Sequence, residues 1–203
     1  MVTVDKSVVV KALRDLGAYL QLNGENAFKV RAYDIAAERI AGLSEDLGAL
    51  VEQQKLTSLP GIGESIAKKI EELVTTGKMT ALDEIKARFP PKILELMTVP
   101  DLGPKKARAL FDQLGVGSLD DLEKACRDQQ VRGMKGFGQK TEEKLLNGLE
   151  IARRAASTGG RKKLADVLPQ ADALLEWIKK APGVTRASLG GSVRRQKETV
   201  ADV

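Results

Sequence analysis

Three short stretches of this chain hold residues whose type and spacing suit one kind of chemistry. Gly61-Ile62-Gly63, Asp101-Leu102-Gly103 and Gly136-Phe137-Gly138 each stand before a basic amphipathic stretch. An apolar residue follows seven positions after each second glycine: Ile70, Leu110 and Leu145. Glycine permits positive φ and close approach of backbone to a ligand. Such a turn aims N–H groups outward, and the helix behind it adds unpaired N–H groups and a positive dipole end. The expected chemistry is the binding of an anion such as a nucleic-acid phosphate. Ser65, Lys68, Lys105, Lys106 and Lys140 stand in the helix starts, and Ile62, Leu102 and Phe137 are expected to be buried and pin the turns. The second copy departs, because Asp101 tolerates left-handed φ better than most residues but opposes a phosphate by its charge. A single glycine turn between helices needs no ligand, whereas three copies with basic helix starts favour a polyanion.

What is missing bounds the chemistry further. The chain has no histidine, which excludes a Ser-His-Asp triad, a Cys-His pair and any His-ligated zinc. Cys126 is the one cysteine, so there is no disulfide and no thiolate cluster. It is expected to be a buried apolar residue of a helix over 119–126 rather than a nucleophile. Catalysis would fall to Lys, Asp, Glu, Ser, Tyr or a carboxylate-bound metal.

Hydrophobic residues make up 42% of the 203 but aromatic ones only 3%, so the cores must be built from Leu, Ile, Val and Ala. Net charge is +5, and it is uneven. Arg132 to Lys163 holds nine basic and three acidic residues, a net of +6 that leaves the rest at −1. That asymmetry points to a polyanion-facing surface. No apolar run is long enough to span a membrane, and Lys11, Arg14 and Asp15 break the N-terminal apolar stretch, so a cytoplasmic protein is expected.

These residues need elements to position them. Apolar spacing predicts helices over about 5–20, 27–41, 44–54 and 63–76, with Val9, Leu13, Leu16 and Leu20 at helical intervals in the first. Gly77-Lys78 and Pro90-Pro91 mark a boundary zone, and a second helical block is expected from about 92 to 157. Ser157 to Lys163 reads as a flexible linker. Beyond it, Ala171 to Lys179 reads as a helix with Trp177, Val184 to Gly191 as a strand, and the last residues as the start of another strand.

Two further stretches separate this chain from other proteins with such hairpins. The glycine turns resemble the helix-hairpin-helix motif, which grips nucleic-acid backbones without reading sequence. "NAFKVRAYDIAAERI" (Asn26 to Ile40) resembles the second helix of the lyase domain of family X DNA polymerases. "GGSVRRQKETVAD" (Gly190 to Asp202) resembles their nucleotidyltransferase signature. Order and spacing agree along essentially the whole chain with bacterial members of the family, which are similar to DNA polymerase beta. The resemblance implies a mainly α fold: a lyase-type helical domain over 1–88 with the first hairpin, and a duplex-binding helical domain over 89–157 with the second and third. A linker and the truncated start of an α/β nucleotidyltransferase palm follow over 158–203.

The resemblance also implies roles. Gly191 and Ser192 at a helix start would cradle a triphosphate, and Arg195 would bind its oxygens bidentately. Asp202 would be a catalytic carboxylate and metal ligand, one of several that hold two Mg²⁺ ions for nucleotidyl transfer. Only this one of the set is present, so these 203 residues alone are expected not to polymerise. Lys69 aligns with the lysine that attacks the aldehyde of an abasic sugar and drives β-elimination. Gly24 and Ser65 stand where the beta branch has lysines, and Phe28 replaces its tyrosine; Lys29, Arg31 and Lys68 are the candidates to compensate. The implied function is gap-filling DNA repair synthesis, with gapped, nicked or primer-template DNA and dNTPs as partners. A monomer, and a monovalent cation at the hairpins, are expected as well. The alternatives are a non-catalytic DNA-binding module and a lyase-only enzyme acting through Lys69.

Overall fold

The computed structural model describes residues 4–157, 162–194 and 199–200. Its first helix, α1 (Lys6–Leu22), begins where the Asp5 carboxylate accepts the Ser7 N–H at 2.7 Å. Val9, Leu13 and Leu16 form its buried stripe. It packs along α2 (Ala27–Ala41), whose start is capped by the Asn26 side chain. Gly17 permits the close crossing: a Cβ there would lie 3.4 Å from Tyr33 Cβ. Next come α3 (Leu47–Glu52), α4 (Glu64–Thr76) and α5 (Thr80–Lys86), then α6 (Pro104–Leu114), α7 (Leu119–Arg127) and α8 (Gln139–Ser157). Short 3-10 turns at Leu56–Ser58, Ile93–Thr98 and Val131–Gly133 precede α4, α6 and α8. The fold is mainly α, and there is no strand among the described residues up to Ser157.

The chain divides into two compact units, Met1–Leu146 and Asn147–Val203, with α8 beginning in the first and ending in the second. In the first unit the stretch between α5 and α6 is anchored by aromatic contacts. The Phe89 ring lies 6.0 Å from Tyr19 of α1 and 5.8 Å from Phe111 of α6, centroid to centroid. The Arg108 guanidinium lies 5.5 Å from the centre of the same ring while its Nε bonds both Asp112 oxygens. Cation–π geometry of this kind adds to the apolar burial.

In the second unit, α9 (Leu164–Lys179) and α10 (Gly191–Arg194) share a small core of Val167, Ala171 and Val193, with Leu164 and Leu189 against it. Strands β1 (Lys162–Lys163) and β2 (Thr199–Val200) pair antiparallel, Lys162 opposite Val200 and Lys163 opposite Thr199.

Several expectations need correction. The boundary zone after Gly77 contains α5, because Leu82 and Ile85 are buried one helical turn apart. The helix expected from Ala171 starts at Leu164 and runs through Pro169. A proline inside a helix costs roughly 3 kcal/mol, but Val167 and Ala171 at i, i+4 spacing carry the buried face across it. Residues 184–190 form no strand: an isolated extended segment is unstable without a pairing partner, and only Leu189 of this stretch packs on the core. The stretch read as a linker instead supplies β1 at Lys162–Lys163, held by its pairing with β2, while residues 158–161 lie outside the described residues.

Candidate nucleic-acid interface

The three hairpins share one backbone solution. The N–H of each middle residue closes a turn on the carbonyl three back: Ile62 on Leu59 (3.1 Å), Leu102 on Val99 (3.1 Å) and Phe137 on Met134 (3.0 Å). The third position of each turn has positive φ: 89° at Gly61, 64° at Asp101 and 86° at Gly136. A type II turn demands this of its third residue and favours proline before it, and Pro60 and Pro100 stand there in the first two. Ile62 and Leu102 are buried as expected, whereas Phe137 is only half-buried. Ile70, Leu110 and Leu145 are fully buried and tie each following helix to the core.

The hairpin helices differ from their neighbours in how they begin. Side chains of Asp5, Asn26, Asp46 and Ser118 accept first-turn N–H groups of α1, α2, α3 and α7. No side chain caps α4 at Gly63 or α6 at Gly103. Their first-turn donors are therefore open to an external acceptor. Nothing lies within 4 Å of a Cβ built on Gly63, Gly103 or Gly138, so an outside group can approach each of these backbones.

The three are not equal. In the first hairpin Gly61, Gly63, Ser65 and Lys68 are all exposed. The second loses a donor to Pro104, which has no N–H, and Lys106 Nζ turns back onto the Asp101 carbonyl at 3.1 Å, leaving Lys105 exposed. In the third, Gly136 and Lys140 are exposed and Gly138 is partly so. The nearby acid Glu142 is buried and bonded to Arg132.

Beside the first hairpin lies a cavity of about 290 Å³. It brings together Lys69 and Ser65 of α4, Lys29 and Tyr33 of α2, and Glu84 and Arg88 from α5 and its end. Lys69 Nζ donates to the Ser65 carbonyl and hydroxyl, each at 3.0 Å. It does not pair with Glu72, the acid one turn away, which instead accepts the Thr80 N–H at 3.0 Å and the Thr80 hydroxyl. Those bonds hold the Glu72 carboxyl below its usual pKa. Lys29 is engaged with Glu25 at 2.8 Å, and this pairing raises the lysine's pKa. Burial pushes the Tyr33 phenol up. Lys68 and Arg31 do not line the cavity, and Phe28 points into solvent with 85% of its surface exposed. Sequence reading passed over Tyr33, although it stands four residues after Lys29 and hence on the same helical face.

At the other end of the chain, Gly191 begins α10 with φ of 54°. The Ser192 side chain, Arg195 and Asp202 lie outside the described residues. Among the described residues no group of three or more His, Cys, Asp or Glu gathers to hold a metal. None of the described helices is long and apolar enough to cross a membrane.

Comparison with known proteins agrees with this geometry. A helix-hairpin-helix domain family matches residues 5–79, and a SAM-like helix-hairpin-helix tandem matches residues 93–151. The chain is 34% identical over 198 residues to the DNA polymerase/3'-5' exonuclease PolX of Bacillus subtilis (strain 168), covering 98% of this chain and 34% of that protein. It is 28% identical over 131 residues to DNA polymerase lambda of Arabidopsis thaliana, covering 52% of this chain and 25% of that protein. It thus spans between a quarter and about a third of the length of these curated relatives. With two helix-hairpin-helix regions and a match to PolX along nearly all of its length, this chain is a relative of the bacterial family X DNA polymerases, corresponding to about a third of such a protein.

Proposed function

We propose that this chain is the DNA-gripping part of a family X repair polymerase that fills short gaps in damaged DNA. The observation that carries this reading is the set of three hairpin turns, the first two of which lead into helices that no side chain caps. Backbone N–H groups and lysines meeting phosphates give strong, salt-sensitive binding with no base readout. Gly61, Ile62, Gly63, Ser65 and Lys68 carry the first contact, Gly103, Lys105 and Lys106 a weaker second, and Gly136, Gly138 and Lys140 the third. A monovalent cation on hairpin carbonyls would assist, and the protein acts as a monomer. The dNTP and Mg²⁺ belong to the whole polymerase. This chain would contribute Gly191, Ser192 and Arg195 to the triphosphate and Asp202 to the metals. No group of three or more His, Cys, Asp or Glu gathers to hold these ions among the described residues.

The test is a binding titration against gapped, nicked and intact duplexes of two unrelated sequences at two salt concentrations. The expected order is gapped, then nicked, then intact, with no dependence on sequence and steep weakening at high salt. Equal affinity for all three, or insensitivity to salt, overturns the reading.

A second activity is favoured by the cavity that gathers Lys69, Tyr33 and Lys29 beside the first hairpin. Lys69 would attack the aldehyde of a 5′ abasic-sugar end and form a Schiff base, with Phe28, Lys29 and Arg31 along the approach of the strand. Borohydride traps such an adduct covalently on DNA. Wild-type trapping that disappears in Lys69→Ala supports it; equal trapping by the variant moves the nucleophile elsewhere.

A further inference from the structure

One wall of the Lys69 cavity comes from α5 and the residues just after it. Ala81, Glu84, Ile85 and Arg88 line the cavity, and their intervals of three, one and three place them on a single helical face. That face presents two small or apolar groups, one carboxylate and one guanidinium to the space that Lys69 enters. A Schiff base alone does not release a sugar. Elimination needs a base for the C2′ proton, and the cavity offers two carboxylates, Glu25 and Glu84. Glu25 is committed: it accepts from Lys29 at 2.8 Å and from the Asn26 N–H at 3.3 Å, bonds that disfavour its taking up a proton. Among the described residues, no hydrogen bond or ion pair engages Glu84. The Tyr33 phenol is buried and so holds its proton, and Lys29 is a cation in its pair with Glu25.

We infer that Glu84 is the general base of the β-elimination and that Arg88, one turn further along the same face, holds the 5′-phosphate of the abasic sugar. This rests on the lyase reading above. Lys69 adds to the C1′ aldehyde and water leaves, forming an iminium ion. The Glu84 carboxylate then takes the C2′ proton, and the C–H electron pair moves into the C1′–C2′ bond as the iminium becomes an enamine. The enamine reforms the iminium as the C3′–O bond breaks, and the 3′-phosphate group departs with that bond's electrons. Water hydrolyses the unsaturated imine and returns the Lys69 amine. No oxidant, reductant or metal is required. General-base assistance of this kind contributes roughly 100- to 10,000-fold.

The experiment separates the two steps. The full chain and its Glu84→Gln, Glu84→Asp and Lys69→Ala variants are given a nicked duplex with a 5′ abasic-sugar phosphate. Borohydride trapping measures Schiff-base formation. Single-turnover release of the unsaturated sugar phosphate, without borohydride, measures elimination. The expected result is that Lys69→Ala loses both readouts. Glu84→Gln should trap within about threefold of wild type but eliminate at least about 100-fold more slowly. Glu84→Asp should recover part of the rate. Elimination by Glu84→Gln within threefold of wild type overturns the assignment. Loss of trapping together with elimination also overturns it, because Glu84 would then be shaping the cavity. Absence of any wild-type adduct sinks the lyase reading, and this inference with it.

Discussion

Glu142 and Arg132 stand ten residues apart and close the third hairpin on itself. The Glu142 carboxylate, 1% exposed, accepts the Arg132 backbone N–H at 2.9 Å and its Nε at 2.7 Å. A first-turn carboxylate of α8 thereby satisfies both the main chain and the side chain of the 3-10 turn before the hairpin. Removing one partner of a buried pair costs about 3–5 kcal/mol, but the Arg132 side chain is 35% exposed and can recover water. Glu142→Ala is therefore expected to lower the unfolding free energy by about 1–3 kcal/mol. Urea denaturation of the full chain measures it; a change under half a kcal/mol would mean that the pair does not hold the hairpin.

The two glycines of the first hairpin should fail differently. At Gly61, φ is 89° and an added Cβ would lie 2.6 Å from Ile35 Cγ2, so Gly61→Ala meets both backbone strain and a clash. A loss of about 1–3 kcal/mol of stability is expected. Gly63 has φ of −83° and open space around it, so Gly63→Ala should leave stability within about half a kcal/mol. It should nevertheless weaken DNA affinity several-fold, because the new methyl group occupies the path of an approaching phosphate. Thermal melting paired with a gapped-duplex titration distinguishes the two; unchanged affinity in Gly63→Ala would remove the phosphate from this turn.

Asp101→Gly should improve the second hairpin. Its φ of 64° suits glycine, and Lys106 bonds the backbone carbonyl, which the substitution keeps. Stability should change by less than about 1 kcal/mol, since relief of the left-handed conformation and the looser unfolded chain oppose one another. Removing the negative charge should tighten DNA binding several-fold at low salt and steepen its salt dependence. A titration at 50 and 200 mM salt decides it, and weaker binding would show that Asp101 does not face the DNA.

Cys126 should be inert. It is buried in α7, and burial pushes its thiol up to about 11. At pH 8 only roughly one molecule in a thousand would carry the reactive thiolate. A thiol reagent at that pH is expected to label the native chain slowly and the urea-unfolded chain at once. Fast native labelling would place the thiol at the surface.

Local rules in the sequence were enough to specify the turns, the helices they lead into and the apolar residues that anchor them. Pro60-Gly61 and Pro100-Asp101 select a type II turn through steric limits on two residues, and Ile70 and Leu110 follow from helical period alone. Cys126 could be assigned to a buried face in the same way. The half-exposure of Phe137 could not, since it depends on how much room the neighbouring elements leave. Nor could the pairing of Lys162–Lys163 with Thr199–Val200, which joins residues far apart in sequence. The cavity shows the division most clearly. Lys69, Tyr33 and Glu84 come from three helices, and nothing in the spacing of one helix states which face of another it will meet. Only the packing of α1, α2, α4 and α5 brings a lysine, a phenol and the Glu84 carboxylate around one space, because burial of apolar stripes orients each helix and carries its polar residues along.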